Sequence, residues 1–173
     1  MTEEKLKFPI GKFTAPAEYT KEAIAGLIND IKELPANLRK VAETLTEDQL
    51  ETPYRPGGWT LRQVIHHLAD SHMHSLIRFK WALTEDSPTI KAYNQVDWAN
   101  LSDSKLPIEP SLAMLDGIHQ HMVALFASFT DADWDKVFVH PETGAHTPLK
   151  RNLAIYAWHG KHHIAHINAV IGG

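Results

Sequence analysis

A chain of 173 residues, 43% hydrophobic and 22% charged, is long enough for one sizeable core and is not composed like a disordered segment. Its net charge of −4 offers no basic footprint for a nucleic-acid backbone, and no apolar run approaches the roughly 20 residues that cross a bilayer. Cysteine is absent, which removes disulfides, thiolate ligands and a cysteine nucleophile, while twelve histidines against seventeen Lys plus Arg form the compositional excess. These figures predict one domain over residues 1–173 with no nucleic-acid or membrane partner. The opening MTEEKLKFPIGKF lacks the apolar segment of a secretory signal, so the expected location is cytoplasmic.

Residues 1–19, with Pro9, Gly11 and Pro16, read as an irregular arm, and Thr20 is placed to cap a helix that starts at Lys21. Ile24, Leu27, Ile28, Ile31, Leu34, Leu38, Val41 and Leu45 then recur at helical spacing, and Pro35 predicts a kink or restart near Leu34. Thr46 with Gln49 makes one capping box for a single turn. Thr60 with Gln63 makes a second, which opens a long helix from Leu61 to about Leu83. Pro53–Gly58 between them is turn chemistry. The long connection over residues 88–110 carries one predicted helical turn, Asp97–Leu101. Ser111 is expected to cap a third long helix with a stripe from Leu112 to Phe129, and KVFVHPETGAHTPL suits a small hairpin. Leu149 to about Ile171 is a fourth long helix, stopped by Gly172 and Gly173. Four amphipathic helices of similar length predict an all-α, antiparallel four-helix bundle, an architecture that builds metal sites from side chains on facing helices.

The histidines concentrate in VIHHLADSHMH and WHGKHHIAH, each on a predicted long helix. In the second stretch His159 pairs with His163, and His162 with His166, at the four-residue spacing that stacks two side chains on one helical face. At about 100° per residue, His163 and His159 fall at the edge of the stripe Leu153, Tyr156, Gly160, Ile164, Ile167 and Ile171, with His166 close behind and His162 furthest out. On the other helix His67 adjoins the stripe of Leu61, Val64, Leu68, Ser75 and Phe79, while His66 reads as solvent-facing. An inward His67 opposite His159 and His163 gives three imidazoles and a divalent ion with open positions; such a donor set accepts zinc, nickel, cobalt, iron or copper. Solvated or hydrogen-bonded helix faces remain the alternative for any one pair. Asp70 reads equally as a carboxylate behind a ligand and as an i, i+4 partner of His74. His119, His121, His140 and His146 carry no assigned role, and Trp59, Trp158 and Tyr156 read as packing residues.

PYRPGGWTLRQVIHHLADSHMHSLIRFKWALTED, followed downstream by YAWHGKHHIAHI, resembles the YfiT-like branch of the DinB superfamily, and the likeness extends to KFPIGKF and TEDQLETPYRPGGWT. The resemblance implies a four-helix bundle with one metal, zinc or nickel, held by His67, His159 and His163, and a homodimer. It further implies a metal-dependent hydrolase or a thiol transferase of the bacillithiol type. A bound ion would activate a small-molecule thiol toward an electrophile, or water in the hydrolase. The chain has no HExxH glutamate to serve as base, which favours the thiol. A non-catalytic metal-binding stress protein would instead close the coordination sphere with Asp70 or His166.

Overall fold

The computed structural model describes residues 2–172, so Gly173 of the predicted helix stop lies outside the described residues. Among these residues seven α-helices follow in chain order: α1 (Glu3–Lys7), α2 (Lys21–Ala42), α3 (Glu47–Leu50), α4 (Leu61–Thr84), α5 (Gln95–Ala99), α6 (Glu109–Phe126) and α7 (Leu149–Ile171). An antiparallel hairpin of β1 (Val137–Val139) and β2 (His146–Pro148) fills the predicted excursion before α7. Among the described residues no helix is long and apolar enough to cross a membrane.

The starts of the helices are written in local chemistry. Thr20 accepts from the Ala23 N–H, and both capping boxes form, with Thr46 and Thr60 each exchanging hydrogen bonds with the glutamine three residues on. Each satisfies donors that the first helical turn leaves free. The buried Arg62 guanidinium then ties the start of α4 to α3 through Glu47 and Glu51, and to the Leu106 carbonyl. Three expectations shift. The arm contains the short α1, the turn in the long connection is Gln95–Ala99, and α6 begins at Glu109 with Pro110 in its first turn. Ser111 is therefore inside the helix, and its hydroxyl is used elsewhere.

Four long helices make the bundle, in which α2 packs on α6 and α7, and α4 packs on the same two. Consecutive helices α2 and α4 thus stand diagonally, an arrangement the long intervening segments permit. One apolar cluster joins Leu38 and Ala42 near the end of α2, Leu61–Ala69 at the start of α4, Leu112 and Leu115 early in α6, and Ile167 late in α7. The other joins Ile31, Phe79, Ala82, Met122, Phe126, Leu149 and Leu153, from the opposite ends of those helices. Helices α2 and α7 therefore share a direction, and α4 and α6 run antiparallel to them.

Between the two apolar clusters lies a polar layer that contains His67, Ser71, His72, Ser75, His119, Asn152, His163 and His166, all buried. Gly160 sets the approach of α7 to α2 at this level: a Cβ there would sit 2.5 Å from Leu34 Cδ2. Helix α2 passes through Pro35 unbroken. Proline has no N–H to offer the carbonyl four residues earlier, so the Ile31 carbonyl is left free inside the bundle.

Candidate metal centre

Helix α4 carries His67 into the polar layer and α7 brings His159 and His163 from the facing side. One ring nitrogen from each lies within 4.8 Å of the others, a grouping that could hold a metal ion. The helical wheel puts His162 furthest out, but His162 and His166 are buried and His159 is half-buried, because α1 and the segment around Tyr54 cover that side of α7. His67 Nε2 and His159 Nε2 face each other at 3.2 Å. Two nitrogens about 2.0–2.1 Å from one tetrahedral ion stand about 3.3 Å apart, so this pair already has the spacing such a donor set needs.

The hydrogen bonds behind the rings determine which nitrogen carries the lone pair. The Ile31 carbonyl freed by Pro35 can only accept, so His119 Nδ1–H donates to it at 2.5 Å. A neutral imidazole has one N–H. His119 Nε2 therefore accepts from His72 Nδ1–H at 2.9 Å, and His72 Nε2 accepts from His159 Nδ1–H at 3.3 Å. His159 is left with a free pair on Nε2, the atom that faces His67. Burial supports the neutral forms, because it pushes His119 down to about 4 and holds His72 and His159 well below the usual histidine range.

A shorter relay serves His163. His166 Nε2–H donates to the Lys7 carbonyl at 3.2 Å, so its Nδ1 accepts from His163 Nδ1–H at 3.3 Å and His163 keeps its Nε2 pair. His162, His163 and His166 form a second grouping that could hold an ion. His166, however, has already used its N–H on Lys7 and its lone pair on His163. The first grouping is the one whose donors are free. His67 itself, pushed down to about 4 by burial, packs against the Trp59 ring at 4.7 Å.

Several expectations are corrected here. His66 is buried, not solvent-facing: its Nε2–H donates to the Leu106 carbonyl and its Nδ1 accepts from the Ser111 hydroxyl at 2.6 Å. His74 takes the Asp70 backbone carbonyl, not the carboxylate. Among the described residues the Asp70 carboxylate makes no hydrogen bond to any of the converging histidines, and burial raises it to about 6. Trp59 and Trp158 do pack, but they also wall a cleft of about 430 Å³ that opens onto His67, His159 and His163, with Phe8, Tyr54 and Arg55 around it. His119, which sequence alone left without a role, anchors the longer relay. No local signal marks it, since its partners lie on α2 and α4.

The relay predicts a measurable effect. His119→Leu is expected to weaken zinc binding roughly tenfold to a hundredfold, the usual cost of losing an outer partner of a ligating histidine. His119→Gln, whose amide can accept from His72 and donate to Ile31, should retain most of it. Competition with a chromophoric chelator gives the affinity, and imidazole nitrogen shifts of His159 report its tautomer directly. Unchanged shifts and affinity in His119→Leu would sink the relay.

The sequence pattern of the DinB superfamily matches residues 30–167. The chain belongs to the DinB superfamily. Two relatives of this DinB-superfamily chain, each aligned over 165 residues and 95% of both chains, are named "putative metal-dependent hydrolase": one from Bacillus mycoides at 51% identity and one from Bacillus cereus at 52%. The solved structure of Bacillus subtilis YfiT, described as a probable metal-dependent hydrolase with an unusual four-helix bundle topology, superposes with a TM-score of 0.93 at 44% identity. It spans 96% of this chain and 95% of its own. Its bundle agrees with the diagonal order found here.

Proposed function

We propose that the protein is a metal-dependent enzyme in which His67, His159 and His163 hold one divalent transition metal, zinc or nickel, and that it transfers a small-molecule thiol to an electrophile. The observation that carries the metal reading is the convergence of three imidazoles, two of which, His159 and His163, have their Nε2 lone pairs set from behind by carbonyl-anchored relays. The names of the relatives support the same reading. His67, His159 and His163 would hold such an ion as neutral imidazoles, and it would supply Lewis-acid chemistry that lowers the pKa of a thiol or a water.

The protein's own groups do the rest. Trp59, Phe8, Tyr54 and Trp158 line the cleft and offer a substrate apolar surface beside the three histidines. None of its lining residues is an aspartate or glutamate. Hydrolysis would want such a base beside the nucleophile, whereas a thiol needs only to lose its proton once, which is why the cleft favours sulfur. In that reaction the sulfur forms the new S–C bond, the leaving group departs with its electron pair, and the thiol proton passes to solvent.

Hydrolysis is the second reading, and one residue favours it. His162 lines the same cleft and its Nδ1 is buried without a hydrogen-bond partner, which leaves a ring nitrogen beside the candidate ligands for proton transfer, but burial pushes it down to about 4 and makes it a weak base. A non-catalytic role would want a fourth protein ligand. Among the described residues Asp70 is not grouped with the three converging rings, and His166 has both ring nitrogens engaged.

One experiment separates the readings. Zinc- and nickel-loaded protein is incubated with a chloronitrobenzene and a panel of low-molecular-weight thiols, and separately with nitrophenyl esters without thiol. A thiol-dependent conjugate seen by mass spectrometry supports transfer, and ester cleavage that does not need thiol moves the assignment to hydrolysis. Loaded protein that does neither defeats both.

A further inference from the structure

A second cleft of about 600 Å³ opens on the other side of His159, lined among others by Ser71, Arg78, Tyr93, His140 and Tyr156. It shares His159, Gln95 and Val96 with the first cleft, so the two spaces meet at that histidine. The lining follows the helix faces that carry the candidate ligands. Ser71 and Arg78 follow His67 on the same stripe of α4, and Tyr156 precedes His159 by one turn on α7, with the two rings 5.6 Å apart.

Arg78 is a charged group held in place without a counter-ion. Among the described residues no carboxylate lies within ion-pair distance of it, its Nε is buried with no hydrogen-bond partner, and it donates only a long 3.4 Å bond to the Tyr156 hydroxyl. Its guanidinium lies over the Phe138 ring at 5.9 Å, which fixes the plane and leaves the N–H edge free. His140 Nδ1 from the hairpin side is likewise buried and unpartnered. Tyr93 is clamped between His74, stacked at 4.0 Å, and Trp98 at 4.9 Å. Buried donors without acceptors are costly, and a guanidinium fork beside a phenol matches the two oxygens of a carboxylate or the face of a phosphate. The cleft's one acidic residue, Glu142, is exposed.

We propose that this second cleft binds an oxyanionic group, carboxylate or phosphate, on a substrate whose reacting end lies at His67, His159 and His163, with Arg78 and Tyr156 as the residues that select it. The proposal rests on the functional reading above for the reacting end, but the anion site itself does not depend on a metal. Substrates without such a group would then bind weakly. The inference narrows the thiol or its electrophile to one that carries an anionic tail.

The test uses metal-free protein, so that the anion has no ion to coordinate. The Arg78 Nε–H resonance, assigned with Arg78→Lys, is followed while sodium acetate or inorganic phosphate is added. The expected result is a saturable shift with at least one of them, weakened about tenfold in Tyr156→Phe, the size of one lost hydrogen bond to a charged group. A response to acetate alone identifies a carboxylate, and to phosphate alone a phosphate. No shift with either anion overturns the proposal. So does a shift that appears only in Glu142→Gln, since Glu142 would then be the internal partner of Arg78. Metal content is measured on the same preparation before stripping, so failure of the metal reading and failure of the anion site are seen separately.

Discussion

Replacing His163 with alanine should leave a helical bundle that has lost most of its bound metal, and His67→Ala and His159→Ala should do the same. Each ring supplies one of three donors, so its loss should cost more than the roughly tenfold to hundredfold expected for an outer partner such as His119. The fold should survive, because the two apolar clusters lie above and below the polar layer and neither includes these rings. Elemental analysis of untagged protein gives the metal, and far-ultraviolet circular dichroism gives the helix. His66→Ala serves as control: its ring is committed to Ser111 and Leu106, so that variant should keep the ion. Metal retained at about one per chain in all three variants would remove the chemical basis for the enzyme.

Metal-free protein should lose stability steeply as the pH falls below about 6.5, the ordinary histidine value. Burial holds His67, His119 and His162 down to about 4, and His72, His159 and His163 well below the ordinary range. In the unfolded chain these groups take up protons from about pH 6.5 downward, while the folded chain keeps them neutral. The unfolded state therefore binds more protons through this window. Their stabilisation is complete above the unfolded value and is lost as the pH falls toward the folded values, at up to about 1.4 kcal/mol per pH unit for each group. Asp70, raised to about 6, acts in the opposite sense between its unfolded and folded values, but it is one carboxyl against several imidazoles. Urea midpoints of chelator-treated protein at pH 8, 7, 6 and 5 test this. A midpoint that stays level from pH 8 to 5 would mean that these rings are protonated in the folded state.

Much of this protein can be read one helical turn at a time. The capping boxes at Thr46 and Thr60, the span Leu149–Ile171 and the hairpin before it depend on residues close in the chain, and these signals appear directly in it. The errors share a cause. Ser111 has a capping residue's chemistry, but its hydroxyl finds His66 on another helix, and that same contact makes His66 a buried group instead of a solvated one.

Sequence by itself determined the four long helices and the concentration of histidines on two of them. Tertiary structure alone decided the diagonal order of the bundle, the relay from His159 through His72 and His119 to the carbonyl that Pro35 leaves free, and the unpaired Arg78 beside Tyr156. The reason is the range of the forces involved. Helical periodicity and capping act between near neighbours in the chain. The choice of lone pair on His159, by contrast, depends on hydrogen bonds that run through α4 and α6 to α2, and only the packed bundle brings those groups within reach.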